Sequence, residues 1–227
     1  MGEILSSSVF GIVFLVISIV LLYKERFTAA LIVKYLATYM YTSLAYTTYI
    51  VISNQYAQFI FIAIALSMLG DIAMSLKLVV SKHENIAHYV GVLLYIIENI
   101  FLTIGLFNEK NINASFGFFS IIIAALIIYL LVHKKKDLDI LQLISNIVLL
   151  LTSYFVAITS ITALISVTNL SSILLCAGSI LVAIGSSFFV IDQYTINDYF
   201  FLKVCNNSCR YLGQLLITIS MVFIFYV

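Results

Sequence analysis

Long apolar blocks alternate along this chain with short polar breaks. The blocks run roughly 18 to 22 residues, enough to cross a bilayer core at about 1.5 Å per residue. Inside a block, polar residues do not recur at every second position, as a barrel strand would require. A bilayer core offers no water, so each crossing must satisfy its own backbone hydrogen bonds, and these blocks predict helices. Eight spans are expected, at about 5–23, 29–51, 56–76, 86–107, 114–132, 140–165, 170–191 and 210–227. The breaks are too short for a second domain. The whole chain, 1–227, reads as one transmembrane domain, an all-α polytopic bundle.

Composition agrees. Of the 227 residues, 63% are hydrophobic and 9% charged, against about 25% charged in a soluble domain. Proline is absent, which argues against the Pro-broken helices of many transporters. The first block lacks a basic leader region and a small-residue cleavage site, so it reads as a retained helix. The net charge of +1 gives no argument for a nucleic-acid partner. Cys205 and Cys209 are expected in one loop, as reduced thiols rather than metal ligands.

The basic residues set an orientation. Lys24, Arg26, Lys77, Lys82, Lys134, Lys135, Lys136, Lys203 and Arg210 fall in the odd-numbered breaks, and only Lys110 falls in an even-numbered one. The odd breaks are therefore expected in the cytosol, with both termini on the non-cytosolic side. The chain is expected to be an integral, multi-pass membrane protein whose partners are membrane lipids.

An ionisable group inside a span is a functional candidate by default, because its insertion is costly. Lys34, Asp71 and Gln214 are expected in the cytosolic halves of spans 2, 3 and 8, and Glu98 and Asn99 near the middle of span 4. The shared depth suggests a polar cavity open toward the cytosol. Lys34 either pairs with Asp71 there or snorkels to the interface. Glu98 is either a functional acid or a protonated structural one. Asp192 reads as the surface end of span 7, and His83, His88 and His133 as interface residues. Motifs of soluble enzymes are missing: no GxSxG, HExxH, phosphate loop or calcium loop occurs, and no cofactor or metal site is expected.

Four segments in order resemble the YhhN family, the multi-span membrane proteins that include lysoplasmalogenase. They are Lys34-Tyr35-Leu36-Ala37-Thr38, Ser67-Met68-Leu69-Gly70-Asp71, the stretch from Gly178 to Ser186, and Tyr211-Leu212-Gly213-Gln214-Leu215-Leu216. Three positions depart. The family's second carboxylate falls on Ser186, its proline after the lysine falls on Tyr35, and a histidine of span 4 falls on Asn99.

The resemblance implies hydrolysis of the vinyl ether bond of a lysoplasmalogen, a lysophospholipid, to a fatty aldehyde and a glycerophospho head group. Vinyl ethers hydrolyse by protonation at carbon, followed by capture of the oxocarbenium ion by water. That chemistry needs a protonated acid and a nearby anion or base. Asp71 and Glu98 are the expected acid/base pair. Lys34, Asn99, Ser186 and Gln214 are expected to bind substrate, hold Asp71 or orient water. Two other readings stay open: a non-catalytic relative that binds or moves a lipid, and a small-solute transporter. A short internal echo, Leu69-Gly70-Asp71 against Ile184-Gly185-Ser186, suggests two four-helix halves.

Overall fold

A computed structural model describes residues 2–76, 84–109, 117–132, 139–194 and 200–223. Eight helices occupy these stretches: α1 (Gly2–Tyr23), α2 (Phe27–Ile52), α3 (Gln55–Leu76), α4 (Glu84–Glu109), α5 (Phe119–Val132), α6 (Ile140–Ser166), α7 (Leu170–Tyr194) and α8 (Phe200–Val222). No strand occurs among the described residues. Five of the helices, α1, α3, α4, α6 and α7, are long and apolar enough to cross a bilayer. The long helices α2 and α8 carry more polar residues, and α5 is 14 residues long.

Most expected boundaries agree within a few residues. The exception is α8, which begins ten residues before the expected Arg210, at Phe200. Lys203, Asn206, Asn207, Ser208 and Arg210 lower the hydropathy of this stretch, so an apolarity count leaves it outside the span. The helix forms because Asn207, Arg210 and Gln214, spaced three and four apart, share one face turned into the bundle. Arg210 is therefore a buried helical residue and not a cytosolic loop charge. Cys205 and Cys209 likewise lie on α8 and not in a loop, half-buried and free. His88, expected at the interface, is buried in α4 and stacks on Phe189 of α7. Asp192 lies in the last turn of α7. His83, His133 and Lys110 lie outside the described residues.

Helices α2, α3, α4, α6, α7 and α8 touch in that order and close as α8 meets α2. Helix α1 lies against α2 and α8, and α5 against α6 and α7. The exterior is apolar: Val51 is 78% exposed and Ile165 77%, while Glu98 is fully buried at 0%. This inverts the surface of a soluble protein and suits a hydrocarbon solvent.

The two halves repeat. A single shift of numbering, the one that carries Gln55 to Leu170, matches the helix starts. It carries the start of α4 to within one residue of the start of α8, and that of α2 to within two of α6. The same shift carries the cap of α3 onto the cap of α7. Asn54 Oδ1 accepts the Ala57 N–H at 2.7 Å, and Asn169 Oδ1 accepts the Ser172 N–H at 2.8 Å. The contacts repeat too: α1 on α2 matches α5 on α6, α3 on α4 matches α7 on α8, and α4 on α6 matches α8 on α2.

Helices α7 and α8 cross at Gly178 and Gly213. A Cβ on either glycine would lie 2.7 Å from the other's carbonyl oxygen, so a methyl group there must push backbone aside. Gly105 faces only the Phe59 and Ile60 side chains, the nearest at 3.3 Å. Gly178→Ala and Gly213→Ala are expected to cost about 1–3 kcal/mol by overpacking, and Gly105→Ala much less. Thermal midpoints of the detergent-solubilised variants, read by size-exclusion profile, check this ordering.

Candidate functional site

Five helices of the ring send polar side chains to one place inside the bundle. Helix α4 supplies Tyr95 and Glu98, three residues apart and thus on one face. Helix α3 supplies Asp71, α2 supplies Lys34 and Tyr41, α7 supplies Ser186, and α8 supplies Asn207, Arg210 and Gln214.

Asp71 is held by three donors. The Tyr95 hydroxyl donates to Oδ1 at 2.8 Å, Lys34 Nζ stands 3.4 Å from the same oxygen, and the Tyr41 hydroxyl donates to Oδ2 at 3.4 Å. Lys34 also donates to Asn207 Oδ1 at 3.1 Å, which ties α2 to α8. Glu98 has a second set of partners. Arg210 Nη2 donates to Oε2 at 3.0 Å, and the Gln214 amide donates to Oε1. Tyr95 links the two carboxylates. Its hydroxyl reaches Asp71, and its ring lies 3.5 Å beneath the Arg210 guanidinium. This is a close cation–π contact in surroundings that do not screen it.

The site is balanced in charge, with Lys34 and Arg210 facing Asp71 and Glu98. An unpaired charge in a hydrocarbon-surrounded core is strongly disfavoured, and two opposite pairs remove most of that cost. Lys34 and Asp71 form the more open pair, with side chains 16% and 9% exposed, and Arg210 and Glu98 the closed one at 7% and 0%. The expected open polar cavity is thus a packed network whose most exposed charge is Lys34.

Ser186 is the position at which the resemblance leads one to expect a second carboxylate. Its hydroxyl donates to Val182 O at 3.0 Å and accepts from Arg210 Nη1 at 3.4 Å. With its own proton committed, Ser186 accepts from Ser153 of α6 at 3.1 Å. Asn99 Nδ2 in turn donates to Ser153 Oγ at 3.0 Å. Asn99 therefore faces α6 and joins the site through this chain of hydroxyls. Gln214 is bound to Glu98. The other expected residues, Lys34, Asp71, Glu98 and Ser186, converge directly.

Sequence reading missed Arg210, Tyr95, Tyr41, Asn207 and Ser153. A signal existed for α8: the Asn207, Arg210, Gln214 spacing continues a helical polar stripe across the assumed loop boundary. For the two tyrosines there was none, because tyrosine is abundant here and most copies read as interfacial anchors. At the basic end, Asp139 caps α6. It is held below the usual carboxylate range first by the Tyr89 hydroxyl at 2.8 Å and then by the Leu141 N–H at 3.0 Å.

These features define a class: a helical bundle of membrane type with a charge-balanced polar interior. The sequence profile of the YhhN family matches residues 29–221, and the chain belongs to that family. No curated protein and no solved structure matches it.

The buried pair is testable by a double-mutant cycle. Arg210→Met alone leaves Glu98 uncompensated and is expected to cost about 3–5 kcal/mol. Glu98→Leu combined with Arg210→Met is expected to recover most of that loss. Thermal midpoints of the four proteins check the sign of the coupling.

Proposed function

We propose that this protein is a membrane-embedded hydrolase of the lysoplasmalogenase type, cleaving the vinyl ether bond of a single-chain phospholipid. One observation carries the reading: two carboxylates, Asp71 and Glu98, lie in one enclosed polar cluster, each with its own cation. Family membership supports the same reading. All eight helices then cross the membrane. The polar residues of α2 and α8 turn inward, and the basic residues Lys24, Arg26 and Lys203 mark the cytosolic end.

Charge balance supplies the acid. Lys34 is the most exposed charge of the cluster and binds the lipid phosphate. The phosphate adds one negative charge to a neutral group of four, and proton uptake restores the balance. Asp71 takes that proton, because the phosphate draws Lys34 away from it while the Tyr95 and Tyr41 hydroxyls remain to orient the carboxyl. Asp71 then transfers the proton to the vinyl carbon that lies β to the ether oxygen. The double bond's electrons form the new C–H bond, and the ether oxygen shares the positive charge of the resulting oxocarbenium ion.

The ionised Glu98 faces this cation and stabilises it. Water adds to the cationic carbon and gives its proton back to the carboxylates. The hemiacetal collapses to a fatty aldehyde and the free glycerol hydroxyl. Arg210 and Gln214 keep Glu98 in place throughout.

A second reading has its own observation. Ser186 replaces a family carboxylate and its hydroxyl binds Arg210, which fits a relative that holds a lipid without cleaving it.

Aldehyde release from lysoplasmalogen by the purified protein separates the two. Asp71→Asn is expected to lower kcat by at least about 100-fold, the scale of a lost general acid. Glu98→Gln is expected to lower it less, with KM little changed. Normal release by Asp71→Asn overturns the hydrolase. No release by well-folded wild-type protein favours the lipid-binding relative.

A further inference from the structure

A cavity of about 740 Å³ opens in the outer wall between α4, α5 and α6. Its wall is mostly apolar, with Ile100, Ile104 and Phe107 on α4, Phe118 and Ile121 at α5, and Phe155 on α6. Along α4 it extends from Asn99 to Phe107, about 12 Å at the helical rise. Its polar members sit among these apolar ones, and their donors are spent locally. The Thr103 hydroxyl donates to Asn99 O at 2.8 Å, the Ser120 hydroxyl to Gly117 O at 2.6 Å, and the Thr152 hydroxyl to Val148 O at 3.0 Å.

Asn99 differs from the rest. It is 1% exposed, its amide N–H groups reach Thr152 and Ser153, and its Oδ1 is buried with no hydrogen-bond partner. Asn99 lines one end of the apolar cavity with this acceptor just beneath the wall, where a ligand hydroxyl that shifts the amide slightly would meet a group that hydrocarbon cannot satisfy. Asn99 is also the cavity's link to the charged cluster, through Ser153, Ser186 and Arg210.

We propose that this cavity holds the tail of a single-chain lipid, with a glycerol hydroxyl donating to Asn99 Oδ1. The identity of the occupant rests on the lipid-substrate reading above. The volume lies in the range of small-ligand sites and accommodates one chain with its first polar group, not a diacyl lipid. An ordinary bilayer lipid has both glycerol positions esterified and no such hydroxyl to give. The tail lies along α4 and leaves the head group at the end of the cavity nearest the cluster. Asn99 is a positioning residue, acting on the lipid's hydroxyl and not on the bond that breaks.

The test uses the full chain in phosphatidylcholine nanodiscs and a lysophosphatidylcholine carrying a diazirine on its tail. Photolabel is mapped by peptide mass spectrometry. Label is expected on residues 100–107 of α4, the start of α5 and residues 151–155 of α6. Thr103→Trp, which fills the cavity, is expected to abolish it. Should that variant not fold, Ile121→Trp at the cavity rim carries the same expectation.

Competition by an unlabelled alkyl lysophospholipid is expected to weaken about tenfold when its glycerol hydroxyl is methylated, the scale of one hydrogen bond. In Asn99→Leu, methylation is expected to make no difference. Label spread evenly over the lipid-facing helices, label indifferent to the tryptophan, or competition indifferent to methylation in wild type would each overturn the proposal. Asp71→Asn is labelled in parallel. Retained label in an inactive or non-enzymatic protein upholds the tail site independently of the chemistry.

Discussion

The bundle depends on the burial of Glu98 and Arg210 as a pair. Neither group is tolerable alone in a core surrounded by hydrocarbon, and together they are accommodated because they neutralise each other and most of their remaining valences are met. Gln214 fills the second oxygen of Glu98, the Tyr95 ring lies under the guanidinium, and Ser186 accepts from its Nη1, while Nε stays buried without a hydrogen-bond partner. These partners come from three helices, α4, α7 and α8. The pair therefore fixes how the last two helices dock on the first half. The nearby glycine crossing of α7 and α8 allows the backbones to approach closely enough for this docking. Packing and electrostatics here are one constraint: a side chain at Gly178 or Gly213 would shift Gln214 and Arg210 along with the helix.

The internal repeat explains why the site lies where it does. The shift that relates the halves carries Tyr95 onto Arg210 and Asp71 onto Ser186, so the stacked Tyr95–Arg210 pair sits at the junction of two equivalent places. The same shift carries Lys34 onto Leu149. The fold is nearly duplicated while the chemistry is not, since one half supplies the lysine and Asp71 and the other supplies the arginine. A site shared in this way stays neutral in charge only when both halves are docked. Assembly of the bundle and formation of the site are thus the same event.

Much of the architecture was legible in the sequence, because apolar block length is a strong signal when the solvent is hydrocarbon. Helices α1, α3, α4, α6 and α7 are read almost to their ends from hydropathy alone. Helix α8 was not, since the polar residues it turns into the cluster also make it look like a loop. Hydropathy averages over the helix circumference, and a polar stripe that faces inward is counted as if it faced lipid. Lys34, Asp71, Glu98 and Gln214 were legible as site members, because a charge or amide within a span is too costly to stand there without a partner or a role. Arg210 reads as one of the basic loop residues for the same reason that α8 reads short: the polar stripe around it lowers the local hydropathy. Asn99 was legible as unusual, but adjacency to Glu98 in sequence suggested a common direction. On a helix, neighbours diverge by about 100°, and Asn99 faces α6.

In the proposed mechanism, a neutral group of four charges takes up a proton when a lipid phosphate binds. Calorimetry of a non-cleavable alkyl lysophospholipid binding to the wild-type protein, in buffers of different ionisation enthalpy, measures that proton directly. The predicted result is uptake of about one proton per lipid near neutral pH, lost in Asp71→Asn. Binding with no proton uptake in the wild type would contradict it.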